Sequence, residues 1–440
     1  EADRLELSLA LFQQVLEQQA LGWGGFGLAV QAYGKRALPV LGWLNRLAAD
    51  TGTAIPVRLV KGAYWDTEIK MAQQRGQSSY PVYTRKCHTD IAYMMCAGFM
   101  LRATGILPQF ATHNAQTISA VAALADACGN DTDYEFQRLH GMGESLYRHW
   151  QQQRNDRLRV YAPVGRHKEL LPYLVRRLLE NGANTSFVHH LWDDNVSPEA
   201  LTASPVALAQ QHDFSMNPLT PLPQNLFAER RNSAGVNLSI PQERDALQAE
   251  VTRWFKHQWF AGPMLAISHF LTLPPQHSIS APWSVNREVG TVQWFNPDDA
   301  ETVTNAAISG FERWRLKPRQ ESVDLRRQWL LTLADLLEKH RPELMALCLL
   351  EAGKTWQDSL DEIREAVDFC RYYANCLGAG FAHPIDLPGP TGERNQLFYE
   401  GRGVWFCISP WNFPLAIFIG QITAALAAGN AVIAKPAEST

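Results

Sequence analysis

The stretch Arg58-Leu-Val-Lys-Gly-Ala-Tyr-Trp-Asp66 decides the fold, because it predicts a buried strand that ends in a turn and continues as a helix. The strand begins a few residues earlier, and its alternation places Val57 and Leu59 on one face and Arg58 on the other. A cation is therefore predicted at the carboxyl end of a largely apolar strand. A solvated strand end with a surface ion pair would give the same pattern, but buried charges are rare and usually paired.

The turn Lys61-Gly-Ala63 contains two small residues and leads into a helix that is predicted to begin near Trp65 and Asp66. Small residues leave backbone N–H groups accessible ahead of the helix. Because such N–H groups and the helix dipole attract anions, the turn is a candidate phosphate site.

Length and composition indicate a multidomain globular protein. A chain of 440 residues predicts two or three domains, and its net charge of -4 gives no electrostatic reason to expect nucleic acid. The seven cysteines form no C-x-x-C pair and are odd in number, which favours a reduced, cytoplasmic setting. No apolar run reaches the ~18 residues of a membrane span. The chain opens within a helical pattern and stops just after a strand pattern, so we expect an interior fragment of a longer protein.

Strand and helix patterns alternate through the first part of the chain. Strands are predicted at 26–33, 54–60, 107–113, 134–139 and 158–162, and helices at 2–18, 36–49, 66–75, 88–103, 116–127, 142–150 and 168–181. Consecutive strand-helix units predict a parallel sheet and favour a β/α barrel, with an open doubly wound sheet as the alternative.

Polar residues lie at or near the carboxyl ends of the predicted strands. Barrel enzymes build their active sites at these ends. They are Gln31, Arg58, Lys61, Thr112, His113, Gln137 and Tyr161. A single residue such as His113 could be an ordinary hydrogen-bonded polar group, but the recurrence favours a site. On the last helix, Arg176 and Arg177 lie within helical reach of Glu180, which predicts either a carboxylate-binding pair or a solvated basic face.

Five segments resemble the proline dehydrogenase domain of the bifunctional proline utilization A family, over residues 1 to about 190. They are Arg58–Asp66, Tyr80-Pro-Val-Tyr-Thr-Arg-Lys86, Phe110-Ala-Thr-His-Asn114, Tyr134-Glu-Phe-Gln137, and Tyr161-Ala-Pro-Val-Gly165 with Leu174-Val-Arg-Arg-Leu-Leu-Glu-Asn-Gly-Ala-Asn184. The resemblance implies a flavin-binding β/α barrel that lacks its first strands here. A barrel without those strands has open edges, so we expect this chain alone to bind flavin poorly or to aggregate.

The resemblance also implies the roles of individual residues. Arg58 would lie beside flavin N5 as the catalytic cation. The residues expected to bind FAD are Gln31, Arg58, Val60, Lys61, Gly62, Ala63, Trp65, Thr84, Thr112, His113, Asn114 and Gln137. Those expected to bind proline are Tyr64, Leu139, Tyr161, Arg176, Arg177 and Glu180.

The implied reaction is oxidation of L-proline to pyrroline-5-carboxylate, with hydride passing from C5 to the flavin. The family returns the electrons to a membrane quinone. That implies peripheral contact with the inner face of the bacterial plasma membrane. A homodimer is also expected from the family, whereas nucleic acid is expected only if a regulatory domain precedes Glu1.

The middle of the chain is rich in proline, and Leu219-Thr-Pro-Leu-Pro-Gln224 predicts a linker. A short helix is predicted at 241–256, and the stretch Pro274–Pro282 is predicted to close the region. The resulting division is a barrel over 1–190, a helical connecting region over 191–282, and a Rossmann-like domain that begins at 283 and runs to 440. In that last part, helices are predicted at 296–314, 325–339, 341–352 and 357–377, and a strand-turn-helix-strand unit at 403–438.

That final unit resembles the aldehyde dehydrogenase superfamily through Ser409-Pro-Trp-Asn-Phe-Pro414 and Lys435-Pro-Ala-Glu438. The resemblance implies that the side-chain amide of Asn412 stabilises the oxyanion of the reaction. The residues expected to bind NAD are Ile408, Ser409, Pro410, Trp411, Asn412, Lys435, Pro436 and Glu438. Cys407 is predicted to be a packed core thiol, because the superfamily's nucleophilic cysteine would follow Thr440.

The two resemblances imply successive steps, in which pyrroline-5-carboxylate opens to glutamate semialdehyde and an NAD-dependent enzyme oxidises that aldehyde to glutamate. No metal site is predicted. Two alternatives remain open. A non-redox barrel enzyme fused to a dehydrogenase fragment would also place polar groups at strand ends, and a repressor of proline-utilization genes would bind DNA through a region outside this chain.

Overall fold

The structure is a computed structural model, and it describes residues 2–18, 23–129, 133–182, 202–264, 276–378 and 380–438, with no description of the side chains of 176–182. The chain divides into two compact units. Unit 1 comprises residues 1–72 and 79–221, and unit 2 comprises residues 73–78 and 222–440.

Unit 1 contains a parallel sheet in which the strands stand in chain order, β1 to β5. The strands are β1 Leu28–Gln31, β2 Ile55–Val60, β3 Ile106–Ala111, β4 Glu135–Leu139 and β5 Arg157–Tyr161. The helices are α1 Leu5–Gln18, α2 Ala37–Thr51, α3 Trp65–Gln74, α4 Lys86–Arg102, α5 Ala115–Cys128, α6 Glu144–Gln153, α7 His167–Gly182 and α8 Pro205–Gln210. The predicted series of strand-helix units is confirmed, and α8 was not predicted.

The two faces of the sheet differ as the sequence pattern predicts. On β2, Ile55, Val57 and Leu59 are fully buried, and they join a core that includes residues of α2, α4 and α5. The alternate residues, including Arg58, are only half-buried. Arg58 stands level with Ala29 of β1 and Gln109 of β3. The helices therefore cover one face, and the opposite face carries the candidate site.

Gly62, in the turn after β2, adopts a backbone conformation that suits glycine. Its φ is +131°, and a Cβ atom there would lie 2.5 Å from Cγ of the buried Tyr33 ring. We expect Gly62→Ala to lower the free energy of unfolding by about 1–3 kcal/mol, because it adds backbone strain to a clash. Gly42→Ala is the matched control, since it lies exposed within α2 and has open space around it. The control should raise stability by about 0.5–1 kcal/mol. Urea unfolding followed by circular dichroism tests both, and equal midpoints would contradict the expectation.

Over its described residues, unit 2 combines a helical core with three small sheets. Its strands are β6 Trp259–Ala261, β7 Gln276–Ala281, β8 Ser284–Gln293, β9 Ile385–Leu387, β10 Asn395–Leu397, β11 Val404–Ile408 and β12 Ala431–Lys435. Its helices are α9 Pro241–Thr252, α10 Ala300–Arg315, α11 Arg319–Lys339, α12 Arg341–Leu350, α13 Trp356–Asn375 and α14 Ala416–Ala427. The main core includes residues of α9, α11, α12 and α13.

The region around residue 282 forms strands that the sequence analysis did not predict. Strands β7 and β8 form an antiparallel hairpin, so the predicted boundary at 282 falls in its turn. Pro274 and Pro282 are typical of a connecting segment, and the boundary was predicted there for that reason. The residues between them, however, alternate as in a strand, with His277, Ile279 and Ala281 on one face. The two compact units of the structure separate near residue 221. The division into three regions at 190 and 282 stays a prediction.

Strands β11 and β12 pair in parallel, with Ile408 level with Lys435, and α14 connects them. The predicted strand-turn-helix-strand unit is therefore present at the predicted residues. The short strands β9 and β10 were not predicted. Within the part of the chain that the structure describes, none of the helices combines the length and apolar character needed to cross a membrane.

Candidate functional site

Arg58 and Tyr161 meet at the carboxyl-end side of the unit 1 sheet, as their strand positions predict. The Arg58 guanidinium carbon lies 4.0 Å from the centroid of the Tyr161 ring, a cation–π distance. The Arg58 Nε is buried and has no hydrogen-bond partner among the described residues. Because a buried, unpaired donor is costly, this nitrogen suits a ligand that supplies an acceptor.

Gln137 is held by Glu135, which is itself paired with Arg159 on the same face of the sheet. Its Nε2 donates to Glu135 at 2.7 Å, and Arg159 grips the same carboxylate through two hydrogen bonds of 2.7 Å. Burial opposes ionisation of Glu135, but the hydrogen bonds from Arg159 and Gln137 lower its pKa overall. An ionised Glu135 only accepts, so the amide oxygen of Gln137 is directed away from it.

Residues 112–114 form the connection from β3 to α5, and each has a defined local role. Leu139 donates its N–H to His113 Nε2 at 3.2 Å, and Tyr147 donates its hydroxyl to the Thr112 carbonyl at 2.8 Å. Asn114 caps α5 by accepting the Thr117 N–H at 3.0 Å. The predicted residue His113 is therefore bonded to Leu139 and Thr112 to Tyr147 of α6, whereas Asn114 stabilises a helix.

Lys61 forms a cluster of charged side chains with Asp90 and Lys86 of α4. Its Nζ is 2.5 Å from Asp90, which also pairs with Lys86 at 2.6 Å. Burial lowers the pKa of Lys61, Asp90 opposes that shift, and Lys86 adds to it. The charge state of Lys61 therefore depends on two residues of α4 that the sequence analysis did not identify.

Trp65 and Thr84 anchor the chain around the turn. Trp65 Nε1 donates to the Tyr83 carbonyl at 2.8 Å, and the buried Thr84 hydroxyl accepts the Asn217 N–H at 3.0 Å. Gln31, Val60, Ala63 and Tyr64 are half-buried. Arg176, Arg177 and Glu180 occupy α7, but their side chains lie outside what the structure describes. Their assignment as proline ligands stays a prediction.

A cavity of unit 1 lies on the same face, toward the amino-terminal ends of the strands. It measures about 640 Å³, and most of its lining comes from the amino-terminal halves of the strands, including Gly27, Pro56, Leu107 and Tyr134. Arg58 is the predicted site residue that reaches it. Glu135 and Arg159 also line it, so the cavity adjoins the carboxyl-end site.

The candidate site of unit 2 lies at the carboxyl ends of β11 and β12. Ile408, Pro410, Trp411 and Asn412 are exposed, whereas Ser409 is buried and its N–H donates to the Lys435 carbonyl at 3.1 Å. The Ser409 hydroxyl has no hydrogen-bond partner among the described residues. Recognition of a developing oxyanion requires an accessible hydrogen-bond donor in a fixed position. The Asn412 amide meets this requirement, because it is exposed on the turn that follows the paired strand β11.

Lys435, Pro436 and Glu438 follow β12. The Lys435 Nζ lies 2.7 Å from Glu438, and its hydrogen bond holds the pKa of Glu438 below the usual range. Cys407 is buried, and burial raises the pKa of its thiol. A thiol of this kind suits a packed residue better than a nucleophile.

Comparison with known proteins extends over both units. The proline dehydrogenase family model matches residues 1–190, and the aldehyde dehydrogenase family model matches residues 276–440. The bifunctional protein PutA of Klebsiella aerogenes is 43% identical over the whole chain, and that of Escherichia coli strain K12 is 42% identical. Over its whole length this chain is homologous to a segment of the bifunctional PutA proteins.

A solved structure supports the same assignment. A crystal structure of a mutant proline utilization A from Bradyrhizobium japonicum matches with a TM-score of 0.84 and 46% sequence identity, over 100% of this chain and 41% of the other. The predicted fold class, a barrel-type proline dehydrogenase region followed by the start of an aldehyde dehydrogenase domain, is confirmed. The chain spans 33% of the length of the curated relatives named above.

Proposed function

We propose that the protein to which this chain belongs converts L-proline to glutamate in two oxidations. Unit 1 would oxidise proline to pyrroline-5-carboxylate with FAD, and unit 2 would contribute to the NAD-dependent oxidation of glutamate semialdehyde. The proposal rests on the position that one polar group occupies in each unit. The buried, unpaired Arg58 nitrogen beside Tyr161 and the accessible Asn412 turn stand at the carboxyl ends of parallel strands in the two units, where ligand sites form in such folds.

The residues of unit 1 fit a flavin in two respects. The Arg58 donor needs an acceptor, and the close approach of Gly62 to Tyr33 leaves a turn without a side chain, as a phosphate cradle requires. Gln31, Val60, Ala63, Trp65, Thr84, Thr112, His113, Asn114 and Gln137 would complete that site. Bound flavin supplies the redox chemistry by accepting hydride from proline.

The chain's own residues would place and polarise the substrate. Arg58 would favour negative charge on the group beside it, and Tyr161, Tyr64 and Leu139 would pack on the pyrrolidine ring. Arg176 and Arg177, oriented by Glu180, would grip the substrate carboxylate.

In unit 2, the Asn412 amide would donate to the oxyanion. Lys435 and Glu438 would bind the ribose of NAD, with Ile408, Ser409, Pro410, Trp411 and Pro436 lining its approach. Bound NAD would supply the oxidant of this second step. The nucleophile of that reaction is not among the residues named here. A membrane quinone as electron acceptor, peripheral membrane contact, a cytoplasmic location and a homodimer belong to the same proposal.

Anaerobic absorbance spectroscopy of the complete protein tests the first oxidation. Flavin bands that bleach on addition of proline would support it, and a protein that carries no flavin would overturn it. Formation of NADH from glutamate semialdehyde, measured separately, tests the second oxidation. Each half of the proposal can therefore fail without the other.

The charged cluster around Lys61 predicts a pH dependence of flavin binding. If cationic Lys61 attracts the pyrophosphate, FAD affinity should fall as pH rises through the pKa of Lys61. Asp90 raises that pKa, so Asp90→Asn should move the loss of affinity to lower pH. Lys86 lowers it, so Lys86→Met should move the loss to higher pH.

Fluorescence titration of FAD into the apoprotein across the alkaline range measures both shifts. The two variants control one another because each removes a charge near Lys61 and their predicted shifts are opposite. Shifts in the same direction, or unchanged profiles, would show that Lys61 does not contribute its charge to FAD binding.

A further inference from the structure

Glu362 is a fully buried carboxylate in the middle of α13. None of its side chain is exposed, and it lies 2.8 Å from the Lys354 Nζ, whose side chain is 13% exposed. Burying a carboxylate is costly unless its charge is paired and its oxygens accept hydrogen bonds. The other contacts of this side chain therefore indicate why the charge is there.

Glu362 caps a helix that is distant in sequence. Its Oε1 accepts the backbone N–H of Leu415 at 3.0 Å and that of Ala416 at 2.8 Å, at the first turn of α14. The residue before that helix, Leu415, has no side-chain acceptor of its own. A carboxylate at a helix amino terminus satisfies otherwise unpaired N–H groups and interacts favourably with the helix dipole.

Lys354 contacts the same turn through Phe413. Its Nζ lies 4.7 Å from the centroid of the Phe413 ring, and Phe413 directly follows Asn412. Lys354 is itself fixed, because it follows Gly353, whose φ is +65°, and donates its N–H to the Cys348 carbonyl at 3.1 Å. The Lys354–Glu362 pair therefore contacts residues 413, 415 and 416.

We propose that Glu362 and Lys354 are positioning residues that hold the Asn412 amide in its catalytic orientation. This inference rests on the proposed dehydrogenase function of unit 2. Asn412 is exposed on its turn, so its orientation depends on the residues that follow it. The pair fixes those residues through two hydrogen bonds and a cation–π contact. Oxyanion stabilisation requires a donor that is already oriented when charge develops.

The test uses the complete protein with Glu362→Gln, which keeps the shape of the side chain and removes its charge. We expect kcat for aldehyde oxidation to fall about 10- to 100-fold, the range typical of displaced catalytic groups. The Kd for NAD should remain unchanged. Backbone amide exchange in residues 411–420 should become faster, and this readout does not depend on activity. Glu365→Gln, exposed one turn further along α13, is the matched control.

A double-mutant cycle separates positioning from general stabilisation. If Glu362 acts through Asn412, then Glu362→Gln should have little further effect on kcat once Asn412→Ala is present. An equal loss in both backgrounds would overturn the proposal, as would unchanged kcat and unchanged amide exchange. If Glu362→Gln does not fold, Glu362→Asp keeps the charge on a shorter side chain and should give an intermediate loss. Absence of NADH formation in the unmodified protein would instead refute the proposed function of unit 2.

Discussion

Replacing Arg58 with methionine should slow the reduction of bound flavin by proline about 10²- to 10³-fold, the cost of losing one preorganised donor at a site of developing charge. Methionine keeps a long apolar side chain but lacks the guanidinium that lies over the Tyr161 ring, so the loss would report the missing charge and donors. The buried Arg58 Nε has no partner among the described residues, and its hydrogen-bonding capacity is available to a ligand. Anaerobic stopped-flow absorbance at the flavin band measures the rate.

Arg58→Lys and Arg157→Met complete that experiment. Lysine keeps the charge but loses the planar guanidinium, so its rate should lie between those of the methionine variant and the unmodified protein. Arg157 lies on β5, is 71% exposed and pairs with Asp133 at 2.6 Å, so its substitution should leave the rate unchanged. A methionine variant that is reduced as fast as the unmodified protein would remove Arg58 from the proposed mechanism.

The fold of unit 1 was predictable because its sequence pattern is local. On β2, the period of two places Ile55, Val57 and Leu59 on one face, and Arg58 between them marks the other face. Each strand of unit 1 is followed along the chain by a helix. The hairpin of β7 and β8 was missed because the prolines on either side of β7 resemble those of a linker. In that region, pairing with β8 determined the structure and local composition did not.

The candidate sites were predictable only in part, for a related reason. Arg58, Gln137 and Tyr161 lie on β2, β4 and β5, and a parallel sheet brings the ends of its strands to one edge. The residues that support them cannot be found in this way. Asp90 is 29 positions from Lys61, and Glu362 is 53 positions from the Leu415 N–H that it accepts. In the sequence each is one polar residue on a helix, and its role depends on packing that periodicity does not determine.

Asn412→Ala should lower kcat for NAD-dependent aldehyde oxidation about 10²- to 10³-fold, equivalent to roughly 3–4 kcal/mol of transition-state stabilisation. The reason is that the Asn412 amide is accessible on a turn between β11 and α14, while the buried Cys407 and Ser409 beside it are fixed within the strand and its pairing. The donor would interact with the oxyanion more strongly than with the substrate carbonyl, so kcat should fall and the Kd for NAD should not.

Stopped-flow detection of NADH and fluorescence titration of NAD distinguish these two quantities for Asn412→Ala. Asn375→Ala is the matched control, because Asn375 is exposed at the end of α13 and bonds Glu229 at 3.2 Å. A loss of NAD affinity without a loss of kcat would place Asn412 in cofactor binding alone. The Glu362 inference would then lose its basis, whereas the role of Arg58 in unit 1 would be unaffected. The two candidate sites are thus independent in their tests, although the proposed reactions are consecutive.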